Sequence, residues 1–143
     1  MQLDQYLESS KAFLNEVADE LIMSGQQDKV VRVLKAVFVA FRERLLVHES
    51  FDVLAELPPL IKVFYIEGWK PGKEVEGVKT IQAFLARVKD ADPTGEADFS
   101  TETEIIDAVN AIFRVLKRHL SRGEKIDVAA GLPKDLKKVW DAA

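Results

Sequence analysis

An all-α fold, a single-domain helical bundle, follows from three observations on the sequence. Apolar residues recur at spacings of three and four along most of the chain, the mark of helices with one buried stripe. Glycine and proline gather in short stretches between those runs, where they separate elements instead of breaking them. The chain also repeats itself. Residues 28–65 lie over 103–140 without a gap, so that Phe38, Glu49, Asp52, Leu57, Pro58 and Lys62 meet Phe113, Glu124, Asp127, Leu132, Pro133 and Lys137. A period of this kind is one supersecondary unit written twice. The expectation is two pseudo-twofold-related four-helix repeats in one domain over 1–143: repeat 1 at 1–66, a connector at 67–77 and repeat 2 at 78–143.

Each element has its own reason. Leu3, Tyr6, Leu7, Leu14, Val17 and Leu21 share a stripe, with Asp4, Glu8, Lys11, Glu16 and Asp19 mostly off it, which predicts an amphipathic peripheral helix over 3–22. Ser24-Gly25 follows, and Gly25 suits the left-handed cap that a side chain resists. From 28 to 47 the chain is rich in β-branched residues, yet Val30, Leu34, Val37, Phe38, Phe41 and Leu45 keep the helical period over a run too long for a strand. Val31, Val33, Val39 and Ala40 make its other faces apolar, so it belongs at the centre. His48 to Asp52 breaks the pattern before a short apolar run, Val53-Leu54-Ala55. A helix then starts at Pro58 or Pro59, where the missing N–H costs nothing, and carries Leu60, Ile61, Phe64 and Tyr65. Gly68, Pro71 and Gly72 stop it.

The second half reads the same way. Val78, Ile81, Phe84, Leu85 and Val88 form the stripe of a second peripheral helix over 78–90. Asp92-Pro93-Thr94-Gly95 is a turn, and Thr101 with Glu104 has the spacing of a capping box. The helix from 102 to about 120 is the second central one, through Ile105, Val109, Ile112, Phe113, Leu116 and Leu120. The short helix and the proline-started helix follow, ending at Trp140 where the first copy has Tyr65.

Composition narrows the function classes. The 143 residues are 48% hydrophobic and 31% charged, the balance of a folded domain and not of a disordered chain. There is no cysteine, which removes disulfides, thiolate metal sites and cysteine nucleophiles. The amino end has neither a basic region nor an apolar one, and no run is long enough to span a bilayer, so a cytoplasmic protein without a membrane contact is expected. A net charge of −4 weighs against general attraction to nucleic acid.

Gly123-Glu124, Asp127-Val128 and Leu132-Pro133, together with Leu57-Pro58, Phe64-Tyr65 and Glu67-Gly68-Trp69-Lys70-Pro71, resemble the signature of the bacterial family filed as domain of unknown function 2267. The resemblance covers nearly the whole chain. It implies an all-helical bacterial domain and supplies no activity, cofactor or catalytic residue. His48 stands where the family pattern has the turn glycine seen at Gly123.

Three constellations bear on function. His48-Glu49-x-x-Asp52 resembles a zinc-protease helix with aspartate in place of the second histidine. The second copy has Gly123-Glu124-x-x-Asp127, so the carboxylates recur where the histidine does not. Glu49, Glu124, Asp52 and Asp127 are therefore read as holding the first turn of the short helix, with His48 and Gly123 in a left-handed turn. Arg114, Lys117, Arg118, Arg122 and Lys125 form a basic face that could contact phosphates, although no base-stacking aromatic lies among them and a solvated or paired face is the commoner outcome. Trp69 lies in the glycine-rich connector and either packs back on the bundle or joins Tyr65 and Trp140 in a ligand or partner patch. No nucleophile–base pair, phosphate loop or cofactor motif is present; His48 and His119 lie in unrelated settings.

The expected function is a non-catalytic helical module that binds a protein partner or a second copy of itself. A small-ligand pocket between the repeats, conceivably enzymatic, is the alternative from another class. A polyanion contact through the basic face is the third.

Overall fold

The structure, a computed structural model, describes residues 2–71 and 80–143, and the regular structure among them is helical throughout. The elements are α1 (Leu3–Leu21), α2 (Gln27–Arg42), α3 (Val47–Ala55), α4 (Pro59–Ile66), α5 (Ile81–Ala91), α6 (Gly95–Asp98), α7 (Glu102–His119), α8 (Arg122–Gly131) and α9 (Lys134–Ala142). The connector from 72 to 77 and Val78 lie outside the described residues. Together the helices make one all-α domain.

Two boundaries differ from the sequence reading. The left-handed residue that ends α1 is Ile22, at φ 57° and 89% exposed. Gly25 is also left-handed, but it turns the chain into α2. The reversal comes early because Met23 belongs to the edge of the core, and its N–H reaches back to the Ala18 carbonyl at 2.9 Å. The second difference is at the end of α2, which stops at Arg42 and not near Val47. A turn buries Leu45, and extended backbone at Leu46 restarts the chain as α3. His48 to Asp52 are thus helical, and neither His48 nor Gly123 is left-handed.

Three helix starts follow the capping rule. Thr80 accepts the Ala83 N–H, Thr101 accepts the Glu104 N–H and Ser121 accepts the Glu124 N–H. Pro59 opens α4 in the first-turn position that tolerates proline. The turn at Asp92 extends into α6, a single helical turn the sequence does not announce.

The core is built around α2 and α7, whose Val33, Leu34, Val37, Phe38, Ile112, Phe113 and Leu116 are sealed from solvent. These two helices touch, as their apolar faces require, but each has its longest seam with the peripheral helix from the other half: α2 with α5, α7 with α1. Helix α1 also lies on α2 and α4, and α3 meets α8.

Candidate functional site

The aromatic residues sort into core and surface. Trp140 is 1% exposed, stacked on Phe41 at 5.8 Å and edge-on to Phe113 at 5.1 Å. Tyr65 is fully buried, 5.0 Å from Phe38, with its hydroxyl 2.9 Å from that of Ser50. A combined surface patch of Tyr65, Trp69 and Trp140 is therefore not formed, because two of the three fill the interior. Trp69 is half-buried. Its ring meets the edge of Tyr65 at 6.0 Å and lies 5.1 Å from Phe51, which is 49% exposed.

Phe51 extends Trp69 into a larger apolar face. Val47 lies one helical turn before it on α3, Leu46 precedes that, and Ile66 accepts the Trp69 N–H at 2.9 Å where α4 gives way to the turn. Leu46, Val47 and Ile66 are all exposed. The sequence reading missed this face because it took 48–52 as a break in the apolar pattern and did not assign Phe51 to a helix side. Read as helix, Val47 and Phe51 stand at the spacing that lines one side.

The basic face is mostly committed elsewhere. Arg114 donates to Glu20 at 3.0 Å, Arg118 pairs with both Glu20 and Glu16, and the His119 ring contacts Glu16. These are the charges of α1 laid along α7, and the two arginines hold the Glu20 carboxyl below its usual range. Lys117 donates to the carbonyls of Trp140 and Ala143, both at 2.9 Å, tying down the end of α9. Arg122 and Lys125 lie on α8. The five residues do not act as one free cationic stripe.

The carboxylates of α3 and α8 are placed otherwise than capping requires. Glu49 and Glu124 do stand in the first turn of their helices. Yet Glu49 Oε2 and Glu124 Oε1 are buried without a hydrogen-bond partner, the Glu49 carboxylate resting over Gly131 across the seam. Burial and the negative charges of Asp52, Glu56, Asp127 and Glu49 push the Glu124 carboxyl up to about 7, and burial moves Glu49 in the same direction. Among the described residues, no three histidine, aspartate or glutamate side chains are placed to hold a metal ion.

A cleft of about 340 Å³ opens between the end of α1 and the α6–α7 corner, with Leu21, Met23, Phe99 and Ala108 on its apolar side. Of its charged residues, Glu20 is held by Arg114 and Arg118, and Asp98 by Arg32. Residues of both halves enclose a ligand-sized space here.

No helix among the described residues is long and apolar enough to cross a membrane. No curated protein matches the chain. A family model does match, over residues 10–139, so nearly all of the helical framework described above falls within it. The chain belongs to the family described as Uncharacterized conserved protein (DUF2267).

Proposed function

We propose that this is a non-catalytic helical module that works by binding a protein partner, or a second copy of itself, through the apolar face made by Leu46, Val47, Phe51, Ile66 and Trp69. The observation that carries the reading is Phe51. A phenylalanine half exposed on a helix, with a tryptophan packed against it from another element, is a preformed aromatic anchor. Tryptophan and its aromatic neighbours give the largest binding energy per residue at interfaces, and holding them in place in the free protein lowers the ordering cost.

Two further contacts support the proposal that the module is built from two copies of one unit. Phe38 meets Tyr65 at 5.0 Å and Phe113 meets Trp140 at 5.1 Å, at equivalent positions. Arg42 donates to the Tyr65 carbonyl as Lys117 does to that of Trp140.

The test is light scattering after size-exclusion chromatography, with pull-down from a bacterial lysate, for the native chain and for Phe51→Asp. Self-association or a captured protein that Phe51→Asp abolishes, with helical content unchanged, is the expected result. A strict monomer that captures nothing overturns it. The apolar side of the α1–α7 cleft favours a second reading, a small ligand held between the halves. A compound that raises the melting midpoint and loses its effect in Ala108→Trp would select that reading.

A further inference from the structure

The seam between α3 and α8 buries negative charge against negative charge. Glu49 and Glu124 occupy equivalent positions of the two sequence copies, and each keeps one carboxylate oxygen out of water with nothing bonded to it. Glu124 is 7% exposed. An ionised carboxylate in such a place is expensive, whereas the protonated acid is not and can donate to a neighbouring oxygen.

The groups around the pair supply little relief. From α3 come His48, Asp52 and Glu56, and from α8 Asp127, so that of the charges bearing on Glu49 only the His48 ring favours its ionised form. From α4 comes the Tyr65 hydroxyl, tied to Ser50, while Lys62 of that helix donates to the Leu54 and Ala55 carbonyls. Arg42 of α2 is spent on the Tyr65 and Glu67 carbonyls. From α9 the Trp140 ring N–H goes to the Lys125 carbonyl, and Lys137 pairs with Asp141. Among the described residues, nothing hydrogen-bonds to Glu49 Oε2 or to Glu124 Oε1.

We propose that the α3–α8 seam is a proton-operated latch, closed while Glu49 and Glu124 carry protons and loosened when they ionise. The latch holds in acid and yields toward alkali, the reverse of a carboxylate salt bridge. A group whose folded form binds its proton more tightly than the unfolded chain adds stability below the ordinary carboxylate range and loses it as pH rises through its folded value. For Glu124 that window runs from about 4.5 to about 7. Only the seam is involved, since α2 and α7 are joined by apolar packing that does not titrate. The latch works whether or not the face carrying Phe51 takes a partner.

The experiment is amide hydrogen exchange on the full chain from pH 5.5 to 8, corrected for the intrinsic rate at each pH, for the native protein, Glu124→Gln and Glu49→Gln/Glu124→Gln. Glutamine has the shape of the protonated acid and cannot ionise. In the native chain the protection of α3 and α8 amides should fall by up to roughly tenfold per pH unit for each group that ionises, while α2 and α7 hold. Glu124→Gln should blunt the fall and the double variant should remove it. Protection that is flat with pH in the native chain, or that falls alike in all three proteins, overturns the latch. So does recovery of protection at pH 8 on adding millimolar magnesium or calcium chloride, which would make the seam a cation site. If the double variant fails to fold, the native series and Glu124→Gln decide.

Discussion

The backbone N–H of Ser121 donates to Glu56 Oε1 at 2.7 Å, so the first turn of α8 is completed by the residue that ends α3. In an ordinary capping box that bond would come from Glu124, three residues on, whose own N–H does go to the Ser121 hydroxyl at 3.2 Å. The two halves of one motif are thus supplied by two different helices. Glu124 is relieved of its capping duty and turns inward, which is how it comes to be buried without a partner. Glu56→Ala should destabilise the protein by about 0.5–1.5 kcal/mol at pH 5, measured by urea unfolding, since one helix-end donor loses its acceptor. The loss should shrink at pH 8, where removing the Glu56 charge relieves Glu124. An equal loss at both pH values would show that Glu56 and Glu124 do not feel one another.

Two glycines should answer oppositely to alanine. At Gly131 a methyl group would meet the far end of the Glu49 side chain, which can swing out to water and so escape its buried position. The helix gains the usual advantage of alanine over glycine, about 0.5–1 kcal/mol. Gly131→Ala should therefore be neutral or stabilising. At Gly95 the methyl group would overlap the Lys89 carbonyl oxygen, a backbone atom with nowhere to go. Gly95→Ala should cost roughly 2 kcal/mol or more, because the α5–α6 corner must open. The melting midpoint should fall in Gly95→Ala and hold or rise in Gly131→Ala.

That corner is pinned by Arg32, whose guanidinium takes both oxygens of the buried Asp98 carboxylate at 3.0 and 3.1 Å. The Asp98 carboxyl is held down to about 2, first by that hydrogen bond, while burial pushes the adjacent Asp92 carboxyl up. Asp98 gives stability above its unfolded value and loses it as pH falls toward 2, opposite in sign to Glu124. Asp98→Asn should cost about 2–4 kcal/mol at pH 7 and much less at pH 2.5, as read by denaturant unfolding, with Arg32 left facing a neutral amide. A cost that did not change with pH would mean that the charge on Asp98 contributes nothing to the corner.

How much of this was legible in the sequence depends on whether the deciding partner is near in the chain. The helical period placed α1, α2, α5 and α7 because each buries its own stripe, and the repeat with its opening proline placed α9. The start of α3 was not visible, since Leu46 offers no capping group. Ser121 with Glu124 has the capping-box spacing at the same register of the second copy, and carrying that signal back would have placed a helix start near Val47. Phe51 could not be read as exposed, nor Trp140 as buried, until the packing of distant helices was known. For Glu49 and Glu124 the position in the first turn was right and the environment was not: burial comes from the opposite helix, which no local spacing reports.

Arg42 is a buried charge at the end of the apolar helix α2. It is 8% exposed and donates from Nη1 to the Tyr65 carbonyl at 2.6 Å and to that of Glu67 at 3.2 Å. Lys117 does the same work for α9 from a more open position. Both side chains donate to carbonyls at the end of a helix, and the Trp140 carbonyl accepts the Ala143 N–H as well, at 3.3 Å. Substituting each by methionine keeps the stem and removes the donors. Arg42→Met should cost about 2–4 kcal/mol, since the buried Tyr65 carbonyl and the partly buried Glu67 carbonyl lose their charged partner, and Lys117→Met about 1–2 kcal/mol because water can reach its carbonyls. Urea unfolding would measure both, and heparin retention at low salt gives the second readout. If Lys117 serves the fold and not a polyanion, Lys117→Met lowers stability and leaves retention where it was; a loss of retention with unchanged stability would return the residue to the anion face.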